Sequence, residues 1–261
     1  MGYKEAAKAI EGFIRGMVEG AGANGVVIGI SGGLDSSTVA ILSVRALGKE
    51  RVIGLIMPMP GITSESDLRL ARELSRDLGI NFYEIDIGDI YSSYERRNPL
   101  HDRTNRVANG NLQARIRMSL LYYAANSKNM LVAGTSDRSE ILLGYFTKYG
   151  DGASDMIPIG DLYKTQVRSL AMEIGVPEEI VRKPSSPGLW VGQTAEGEIG
   201  LSYDVIDRIL EAYFDLRMPE SEIPEKLGVD KAAVKKVIEM SRKSAHKRAM
   251  PPKPSVRMIL R

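Results

Sequence analysis

The sequence predicts an α/β protein with a doubly wound parallel sheet flanked by helices and followed by a C-terminal helical extension. Short apolar runs alternate with amphipathic helical patterns, which is the order of strands and crossover helices in a parallel sheet. A glycine-rich turn joins the first apolar run to the first such helix. The 261 residues, 43% of them hydrophobic, are enough for one large domain with its own core.

The first elements lie in the stretch VVIGISGGLDSSTVAIL, residues 26–42, which predicts a strand, a tight turn and the start of a helix. Gly32 and Gly33 carry no side chains where the backbone must approach a ligand. Free amides at a helix N-terminus attract an anion, and the hydroxyls of Ser31 and Ser36 add further donors. The stretch therefore indicates a phosphate-binding loop.

Asp35 distinguishes this loop from the common phosphate loop GxxxxGK[ST], in which a lysine reaches the outer phosphates. A carboxylate would repel a bare phosphate, so its presence here indicates a divalent cation between the two, and hence Mg-nucleotide. The alternative is an ordinary strand-to-helix turn in which Asp35 is the helix N-cap.

Further elements repeat the same strand and helix order. The apolar runs VIGLIMP, NFYEIDI and MLVAG follow, and helical patterns cover residues 36–47, 64–78 and 111–126. Because the carboxyl ends of parallel strands meet at one edge of a sheet, the loops after all four strands are expected to line one crevice. These loops follow Ile30, Met57, Ile87 and Ala133.

The second half of the chain has a different pattern. After about residue 147 comes the Gly/Asp-rich loop KYGDGASDMIPIGD, then a helix near 163–174. The Pro/Ser/Gly stretch at 183–198 predicts a mobile lid that would exclude water from a reactive intermediate; a flexible connection is the alternative. Residues 203–261 are predicted to be helical and basic. No internal repeat divides the sequence, so we expect 1–261 to form a single domain.

Composition excludes several classes of protein. Lys+Arg at 35 against Asp+Glu at 33 give a net charge of +2, so the chain is not a polycation that binds nucleic acid indiscriminately. The 0 Cys exclude disulfides, thiolate metal sites and a cysteine nucleophile, and agree with a reducing cytoplasm. No apolar run approaches the roughly 20 residues that span a bilayer, and MGYKEAAKAIEGF predicts an amphipathic helix rather than a secretory signal. We expect a soluble cytoplasmic protein.

The loop SGGLDSS resembles the pyrophosphate loop of the ATP pyrophosphatase superfamily, which cleaves ATP between the α and β phosphates. LQARIRM, LVAGTSDRSEILLGYFTKYGDGASDMIPIGDLYKTQVRSLA, KPSSPGLW and HKR then resemble ammonia-dependent NAD synthetases, in order over roughly residues 26–248. The resemblance implies an adenine nucleotide alpha hydrolase-like fold. It also implies a ligase that adenylates the nicotinate carboxylate of deamido-NAD with Mg-ATP and releases pyrophosphate, after which ammonia displaces AMP to give NAD.

The resemblance implies an ATP site at Gly29, Ile30, Ser31, Gly32, Gly33, Leu34, Asp35, Ser36, Thr135, Lys164 and Ser186. Asp35 and Glu140 are implied as Mg²⁺ ligands, and Asp35, Lys164 and Asp137 as catalytic residues. Lys164 would meet the phosphates and stabilise the departing pyrophosphate, and Asp137 would position or deprotonate ammonium. Ser185 is an alternative to Ser186. Taken alone, Asp137 and Glu140 have the spacing of a capping box, and Lys164 that of a solvated lysine at a helix start.

The resemblance also implies a deamido-NAD site at Arg115, Lys148, Asp155, His246 and Lys247. Two phosphate charges and a carboxylate account for the cations, and Asp155 can accept hydrogen bonds from ribose or amide groups. Taken singly, each has an alternative interpretation as a solvated surface charge. The resemblance further implies a homodimer, whose interface would lie between residues 111 and 126 or near the N-terminus.

The nitrogen source is implied to be free ammonia, because the chain lacks the cysteine that a glutaminase commonly uses; a separate glutaminase subunit is the alternative. Two other functions remain open. The ATP pyrophosphatase subunit of a GMP synthetase shares the loop and the adenylation step. The stretch ESEIPEKLGVDKAAVKKVIEMSRKSAHKRAM resembles a helix-turn-helix that would bind DNA, as a lower alternative. We expect no membrane partner and give nucleic acid the lowest weight.

Overall fold

The computed structural model describes residues 2–257, and within that range it has four strands and twelve α-helices. The elements are α1 (Gly2–Gly20), β1 (Val26–Gly29), α2 (Leu34–Leu47), β2 (Val52–Ile56), α3 (Glu65–Asp77), β3 (Asn81–Glu84), α4 (Gly88–Arg97), α5 (Arg106–Lys128), β4 (Leu131–Val132), α6 (Arg138–Leu143), α7 (Lys164–Ile174), α8 (Glu178–Arg182), α9 (Ala195–Ile199), α10 (Tyr203–Leu210), α11 (Ile223–Leu227) and α12 (Lys231–Lys243). The end of the predicted C-terminal extension, 258–261, lies outside the described residues.

The strands form one sheet, which is parallel as the sequence predicts, and their order is β3-β2-β1-β4. β1 lies between two neighbours, with Val26 paired to Val52 of β2 and to Leu131 of β4. β4 is short, and a parallel bridge from Ala133 to Met156 continues this edge beyond it. The central position of β1 places the loop that follows it in the middle of the carboxyl edge of the sheet.

Helices cover both faces of the sheet, which confirms the doubly wound fold class. Val26 and Ile28 of β1 belong to an apolar cluster with α1, α2 and α7. Val27 points to the opposite face and belongs to a second cluster with α5 and its neighbours. Because side chains alternate along a strand, a continuous apolar run such as VVIGI is what a strand buried on both faces requires.

Several element boundaries differ from the sequence prediction, those of α5 and β3 among them. α5 begins at Arg106 rather than near 111, because the side chain of Asn105 accepts a hydrogen bond from the amide of Ala108, 3.0 Å away, and caps the helix. β3 covers only NFYE of the run NFYEIDI, and its side chains are largely exposed. β3 is an edge strand, so only one of its sides has a partner.

The N-terminal helix α1 is amphipathic, as predicted, and buries Ala7, Ile14 and Val18 where it packs against α2 and α7. Its opposite face is exposed. Across residues 2–257, none of the helices has both the length and the apolar character that crossing a membrane would require.

The C-terminal helices form a third apolar cluster that packs on α6 and on the start of α7. Tyr203 and Ile206 of α10 are buried with Leu143 of α6 and with Tyr163, the residue before α7. α11 and α12 are joined by a turn that begins at Gly228, which has a left-handed conformation, φ +62°. Val234 and Val237 of α12 are buried in this cluster. The extension therefore packs against the helices that carry the candidate site.

Candidate active site

A cavity of about 480 Å³ lies at the carboxyl edge of the sheet. It is lined by residues that follow β1, β2 and β4, by α5 and by the predicted lid, as the sequence analysis expects of a ligand crevice. The loop after Ile87 was expected to contribute, but among the described residues those following β3 do not line the cavity. The reason is topological, since β3 lies at the edge of the sheet, two strands away from β1 and three from β4.

The loop after β1 has the backbone of an anion-binding turn. Gly32 has φ +74°, and a Cβ atom there would lie 2.3 Å from the carbonyl oxygen of Asp67, so glycine is required. The N-cap of α2 is Gly33, without a side-chain cap. The alternative assignment of Asp35 as N-cap is therefore wrong. The side chain of Asp35 does not cap the helix, and the first residues of α2, whose amides have no side-chain cap, line the cavity.

Four charged residues meet at the start of α2, α6 and α7. Nζ of Lys164 lies 2.7 Å from Oδ2 of Asp35 and 2.9 Å from Oε1 of Glu140. It also forms an ion pair with Oδ2 of Asp137 at 2.9 Å. The side chains of Lys164 and Asp137 are fully buried. We call these four residues the carboxylate–lysine cluster.

Asp137 and Glu140 also form a capping box at the start of α6. Oδ1 of Asp137 accepts from the amide of Glu140 at 2.8 Å, and Oε2 of Glu140 accepts from the amide of Asp137 at 3.4 Å. In each residue one carboxylate oxygen caps the helix while the other faces Lys164. The capping interpretation is therefore confirmed, and the cap fixes the two carboxylates in place beside Lys164; their role in a site stays a prediction.

Burial shifts the protonation equilibria of the cluster. Burial raises the pKa of Asp137 to about 6, against the attraction of Lys164, and raises the pKa of Glu140 well above its usual range. For Lys164, burial lowers the pKa, but the charges of Asp137, Asp35 and Glu140 together raise it well above the ordinary lysine value. Lys164 is therefore a permanent cation here. Three carboxylates facing one ammonium leave an excess of negative charge when all are ionised.

The cluster has oxygen donors of the kind that hard divalent cations prefer. One oxygen each from Asp35, Asp137 and Glu140 lie within 4.8 Å of one another. Oδ1 of Asp35 is buried and makes no hydrogen bond to the described residues. An unpartnered buried carboxylate oxygen beside an excess of negative charge fits a cation bound from the cavity side.

Most of the predicted ATP residues line the cavity. These are Gly29, Ile30, Ser31, Gly33, Leu34, Asp35, Ser36, Thr135 and Ser186. The other two, Gly32 and Lys164, are not among the described residues that line the cavity. Gly32 provides the left-handed turn of the loop, and Lys164 donates hydrogen bonds to Asp35 and Glu140. Ser185 lines the cavity as well as Ser186, so both alternatives for the lid hydroxyl remain open.

Three of the predicted dinucleotide contacts are joined by hydrogen bonds. Arg115 donates to the carbonyl oxygen of Lys148 at 3.3 Å, and Nζ of Lys148 donates to that of His246 at 2.7 Å. Lys247 lines the cavity and donates to the carbonyl oxygens of Gly144 and Phe146, 2.7 Å from each. The structure thus brings one helix, one loop and the C-terminal segment together beside the cavity.

Asp155, the fifth predicted dinucleotide contact, has different neighbours. Its Oδ2 accepts from the amide of Val132 at 2.7 Å, and its Oδ1 accepts from the hydroxyl of Tyr122 at 3.3 Å. It does not line the cavity in the described part of the chain. In this structure the carboxylate supplies β4 with a hydrogen-bond acceptor at the edge of the sheet.

Three cations that line the cavity were missed by the sequence analysis: Arg117, Arg168 and Lys183. Burial lowers the pKa of Arg117 to about 10 and lowers the pKa of Lys183. Nε of Arg168 is buried without a hydrogen-bond partner among the described residues. All three occur in stretches that carry the family resemblance, LQARIRM, YKTQVRSLA and KPSSPGLW. Arg117 and Arg168 lie about one helical turn or less from the predicted site residues Arg115 and Lys164, and Lys183 is the first residue of the predicted lid. Their proximity to chosen residues was the available indication.

The predicted lid is held against the cavity at its start and near its middle. Lys183 donates to the carbonyl oxygen of Gly32 at 3.2 Å and forms an ion pair with Asp67. Further along, Gln113 of α5 donates to the carbonyl oxygen of Leu189 at 3.1 Å. The guanidinium of Arg106 lies 4.5 Å from the ring centroid of Trp190. The last residues of the predicted lid form the start of α9.

The chain is similar to known NAD synthetases and to an NMN synthetase. The NAD synthase family model matches residues 6–251. An NH₃-dependent NAD⁺ synthetase from Hyperthermus butylicus is 51% identical over 97% of this chain and 91% of its own length. Among solved structures, an NMN synthetase from Francisella tularensis has a TM-score of 0.85 at 34% identity, over 97% of this chain and 98% of its own. An NH₃-dependent NAD synthetase from Campylobacter jejuni has a TM-score of 0.81 at 34% identity, over 98% of this chain and 100% of its own.

Proposed function

This chain belongs to the NAD synthase family, and from that premise we propose that it is an ammonia-dependent NAD synthetase whose chemistry is carried by the carboxylate–lysine cluster. The reaction consumes deamido-NAD, ATP and ammonia. ATP adenylates the nicotinate carboxylate and releases pyrophosphate, and ammonia then displaces AMP to give NAD. The observation that supports this best is the meeting of Asp35, Glu140 and Lys164 at the end of the phosphate-binding loop.

Asp35 and Glu140 are proposed to hold Mg²⁺. Bound there, Mg²⁺ would neutralise phosphate charge next to the amides of α2. The unpartnered Oδ1 of Asp35 supports this assignment, since it faces no protein donor among the described residues. The residues of the phosphate-binding loop would hold the β and γ phosphates with backbone amides and with the hydroxyls of Ser31 and Ser36.

Lys164 is proposed to stabilise the negative charge that develops on the departing pyrophosphate. The charges of three carboxylates raise its pKa above the ordinary lysine value, against the effect of burial, so it is charged at neutral pH. Its fully buried position means that the ammonium is already desolvated before substrate arrives. Fixed charge in a dry site is the arrangement that stabilises a transition state most effectively.

Asp137 is proposed to position ammonium and accept its proton. Burial raises its pKa to about 6, so it is a stronger base than an ordinary carboxylate and is still mostly ionised at neutral pH. Oδ2 of Asp137 is buried and has an ion-pair contact to Lys164 but no hydrogen bond to the described residues. Replacement by Asn should weaken the dependence of rate on ammonia concentration; an unchanged dependence would remove this role.

The dinucleotide is proposed to bind beside Gly144 and Phe146, whose carbonyl oxygens accept hydrogen bonds from Lys247. Hydrogen bonds also join Arg115 to Lys148 and Lys148 to His246 nearby. Cations suit the pyrophosphate of deamido-NAD. The assignment of Asp155 to ribose or amide contacts remains a prediction, and would require it to bind substrate in addition to Val132 and Tyr122.

Free ammonia is proposed as the nitrogen donor, because the 0 Cys leave the chain without the usual nucleophile for glutamine hydrolysis. A separate glutaminase could deliver it. The same absence of thiols supports a cytoplasmic location. We further propose that two copies assemble into a homodimer.

A mononucleotide substrate is the second candidate. The similarity to an NMN synthetase, at a TM-score of 0.85, favours testing nicotinate mononucleotide beside deamido-NAD. The two substrates share the carboxylate that is amidated, and they differ in the adenylate half that only the dinucleotide carries.

The deciding assay mixes the protein with Mg-ATP, ammonium and one acceptor: deamido-NAD, nicotinate mononucleotide or xanthosine monophosphate. We expect NAD, AMP and pyrophosphate in equal amounts with deamido-NAD, and much lower kcat/KM with the other two. ADP and phosphate as products would contradict cleavage between the α and β phosphates. A higher kcat/KM with nicotinate mononucleotide would establish the second candidate.

A further inference from the structure

We propose that Asp207 of α10 is a positioning residue that sets Lys164 against the carboxylates of α6. The inference rests on the proposed function of the carboxylate–lysine cluster. Asp207 belongs to the C-terminal helical extension and is 4% exposed. It does not line the cavity described above, so it acts through other residues rather than on substrate.

The carboxylate of Asp207 joins α10 to two other helices. Its Oδ2 accepts from the amide of Thr165 at 2.9 Å, and its Oδ1 accepts from the hydroxyl of Ser139 at 2.5 Å. The same hydroxyl oxygen accepts from the amide of Lys164 at 2.9 Å. The first two amides of α7 are thus bound by groups from α10 and α6. Ser139, which links Asp207 to the amide of Lys164, lies between Asp137 and Glu140 in the sequence.

Only a double acceptor satisfies this arrangement. The amide of Thr165 can only donate, and the hydroxyl of Ser139 must direct its one proton to Asp207 because its oxygen already accepts from Lys164. Asparagine has the same shape but one acceptor. Its NH₂ group would face either the Thr165 amide, donor against donor, or the Ser139 hydroxyl, whose proton would then lose its acceptor.

A second residue of α10, one turn earlier, lies near Lys164. The ring centroid of Tyr203 lies 5.4 Å from Nζ of Lys164, and Tyr203 is buried. Residues four apart on a helix share a face, so Tyr203 lies against the side chain of Lys164 while Asp207 is linked to its backbone amide through Ser139. The negative charge of Asp207 also lies at the N-terminus of α7, where the helix dipole favours it.

The consequence concerns rate rather than binding. A misplacement of about 1 Å in a catalytic group can lower a rate about 100-fold. We therefore expect Asp207→Asn to lower kcat about 10- to 100-fold while KM for ATP and deamido-NAD changes less than about threefold. The matched control is Asp204→Asn, the same change on an exposed face of the same helix, which should retain wild-type kcat.

A double-mutant cycle with Lys164→Met tests whether Asp207 acts through Lys164. In the Lys164→Met background, Asp207→Asn should lower the residual kcat less than about twofold, since its target is gone. An equally large loss in both backgrounds would mean a general structural role and would overturn the inference. So would a kcat for Asp207→Asn equal to that of Asp204→Asn.

A second readout needs no substrate. An amine-reactive reagent followed by mass spectrometry measures the modification rate of buried Lys164, with exposed Lys235 as the internal reference. Asp207→Asn should raise the Lys164 rate at least about threefold, and Asp204→Asn should leave it unchanged. Ser139→Ala, which removes only the hydroxyl link, should raise it to a smaller extent and serves if Asp207→Asn does not fold.

The two readouts separate the inference from the proposed function. If the wild-type protein forms no NAD, the proposed function fails and the labelling rates alone decide the role of Asp207. If NAD forms but Lys164 is labelled equally in the wild-type, Asp207→Asn and Ser139→Ala proteins, the inference fails and the proposed function stands.

Discussion

Asp35 is the residue at which the loop differs from a lysine-bearing phosphate loop. Its Oδ2 accepts a hydrogen bond from Nζ of Lys164, and its Oδ1 is buried without a hydrogen-bond partner among the described residues. Asp35→Asn keeps the size and removes the charge, so it should weaken Mg²⁺ binding and lower kcat/KM at least about 100-fold. Two carboxylates would still face Lys164, so the fold should be retained. Steady-state kinetics over a Mg²⁺ series and circular dichroism measure the two effects.

The control for this change is Asp89→Asn, because Asp89 is also an aspartate in the first turn of a helix, α4, and is exposed. It removes the same charge from a helix start without touching the cluster, and should leave kcat/KM unchanged. Full activity of Asp35→Asn at ordinary Mg²⁺ concentration would show that Asp35 is not a metal ligand.

Asp137 gives the substrate-free protein a specific pH dependence. Burial raises its pKa from 3.8 to about 6, so the folded state binds this proton more tightly than the unfolded chain does. Stability from this group is then present below about pH 4 and lost as the pH rises to about 6. Relative to Asp137→Asn, the wild-type free energy of unfolding should fall over that interval, by about 3 kcal/mol at most.

Denaturant unfolding in chelator at several pH values between 4 and 7 measures this difference, with Asp89→Asn as the control for the loss of one carboxylate. Parallel pH profiles for the wild type and Asp137→Asn would mean that the folded and unfolded pKa of Asp137 are the same. A difference that grows with pH would mean that the ion pair with Lys164 outweighs burial.

At the residue scale, local motifs could be predicted from the sequence and tertiary contacts could not. Asp35, Asp137 and Glu140 lie in short stretches with restricted residue types, and the structure brings them together. Asp207 lies 68 residues from Ser139 in an ordinary amphipathic helix, and no local pattern distinguishes it from Asp204. Only the folded chain shows that one is buried and the other exposed.

Among the elements, the lid is the one whose role depends most on its attachment. Lys183 connects it to the phosphate-binding loop through the carbonyl oxygen of Gly32. Lys183→Met should loosen this end, raise KM for ATP about tenfold and let water reach the adenylate, so that more AMP than NAD is formed. Arg182→Met, an exposed neighbour, should do neither.

The fluorescence of Trp190 reports on the position of the lid, because Trp190 is the single tryptophan of the chain and its ring lies against the guanidinium of Arg106. Mg-ATP should change its fluorescence in the wild type and in Arg182→Met, and require a higher concentration to do so in Lys183→Met. Equal titration curves, together with equal yields of AMP and NAD, would leave the segment as a flexible connection.

The alternation of strands and helices could be predicted because each crossover unit has its own apolar periodicity. The start of α5 could not, because it depends on the Asn105 side chain capping a helix whose first turn carries few apolar residues. The short β4 is a similar case, since its continuation through the Ala133 bridge needs a partner, Met156, from a distant loop.

For the whole molecule, the sequence allows two positions for the proposed dimer interface, one on α5 and one near the N-terminus. We propose α5 as the interface. Tyr123 is 77% exposed on the same stripe as Ser119 and Arg115, at spacings of four residues. α4 packs beside α5 and buries none of its residues completely. On α1, by comparison, Phe13 is 45% exposed, less than Tyr123.

Tyr123→Glu should therefore convert the protein to a monomer in analytical ultracentrifugation, since a charge would be buried at the interface. Because Arg115 lies on the same stripe, the change should also raise KM for deamido-NAD about tenfold while leaving the Mg-ATP dependence of Trp190 fluorescence intact. Phe13→Glu is the matched change on α1 and should leave the dimer assembled. A monomeric Phe13→Glu protein beside a dimeric Tyr123→Glu protein would move the interface to the N-terminal helix and separate it from the dinucleotide site.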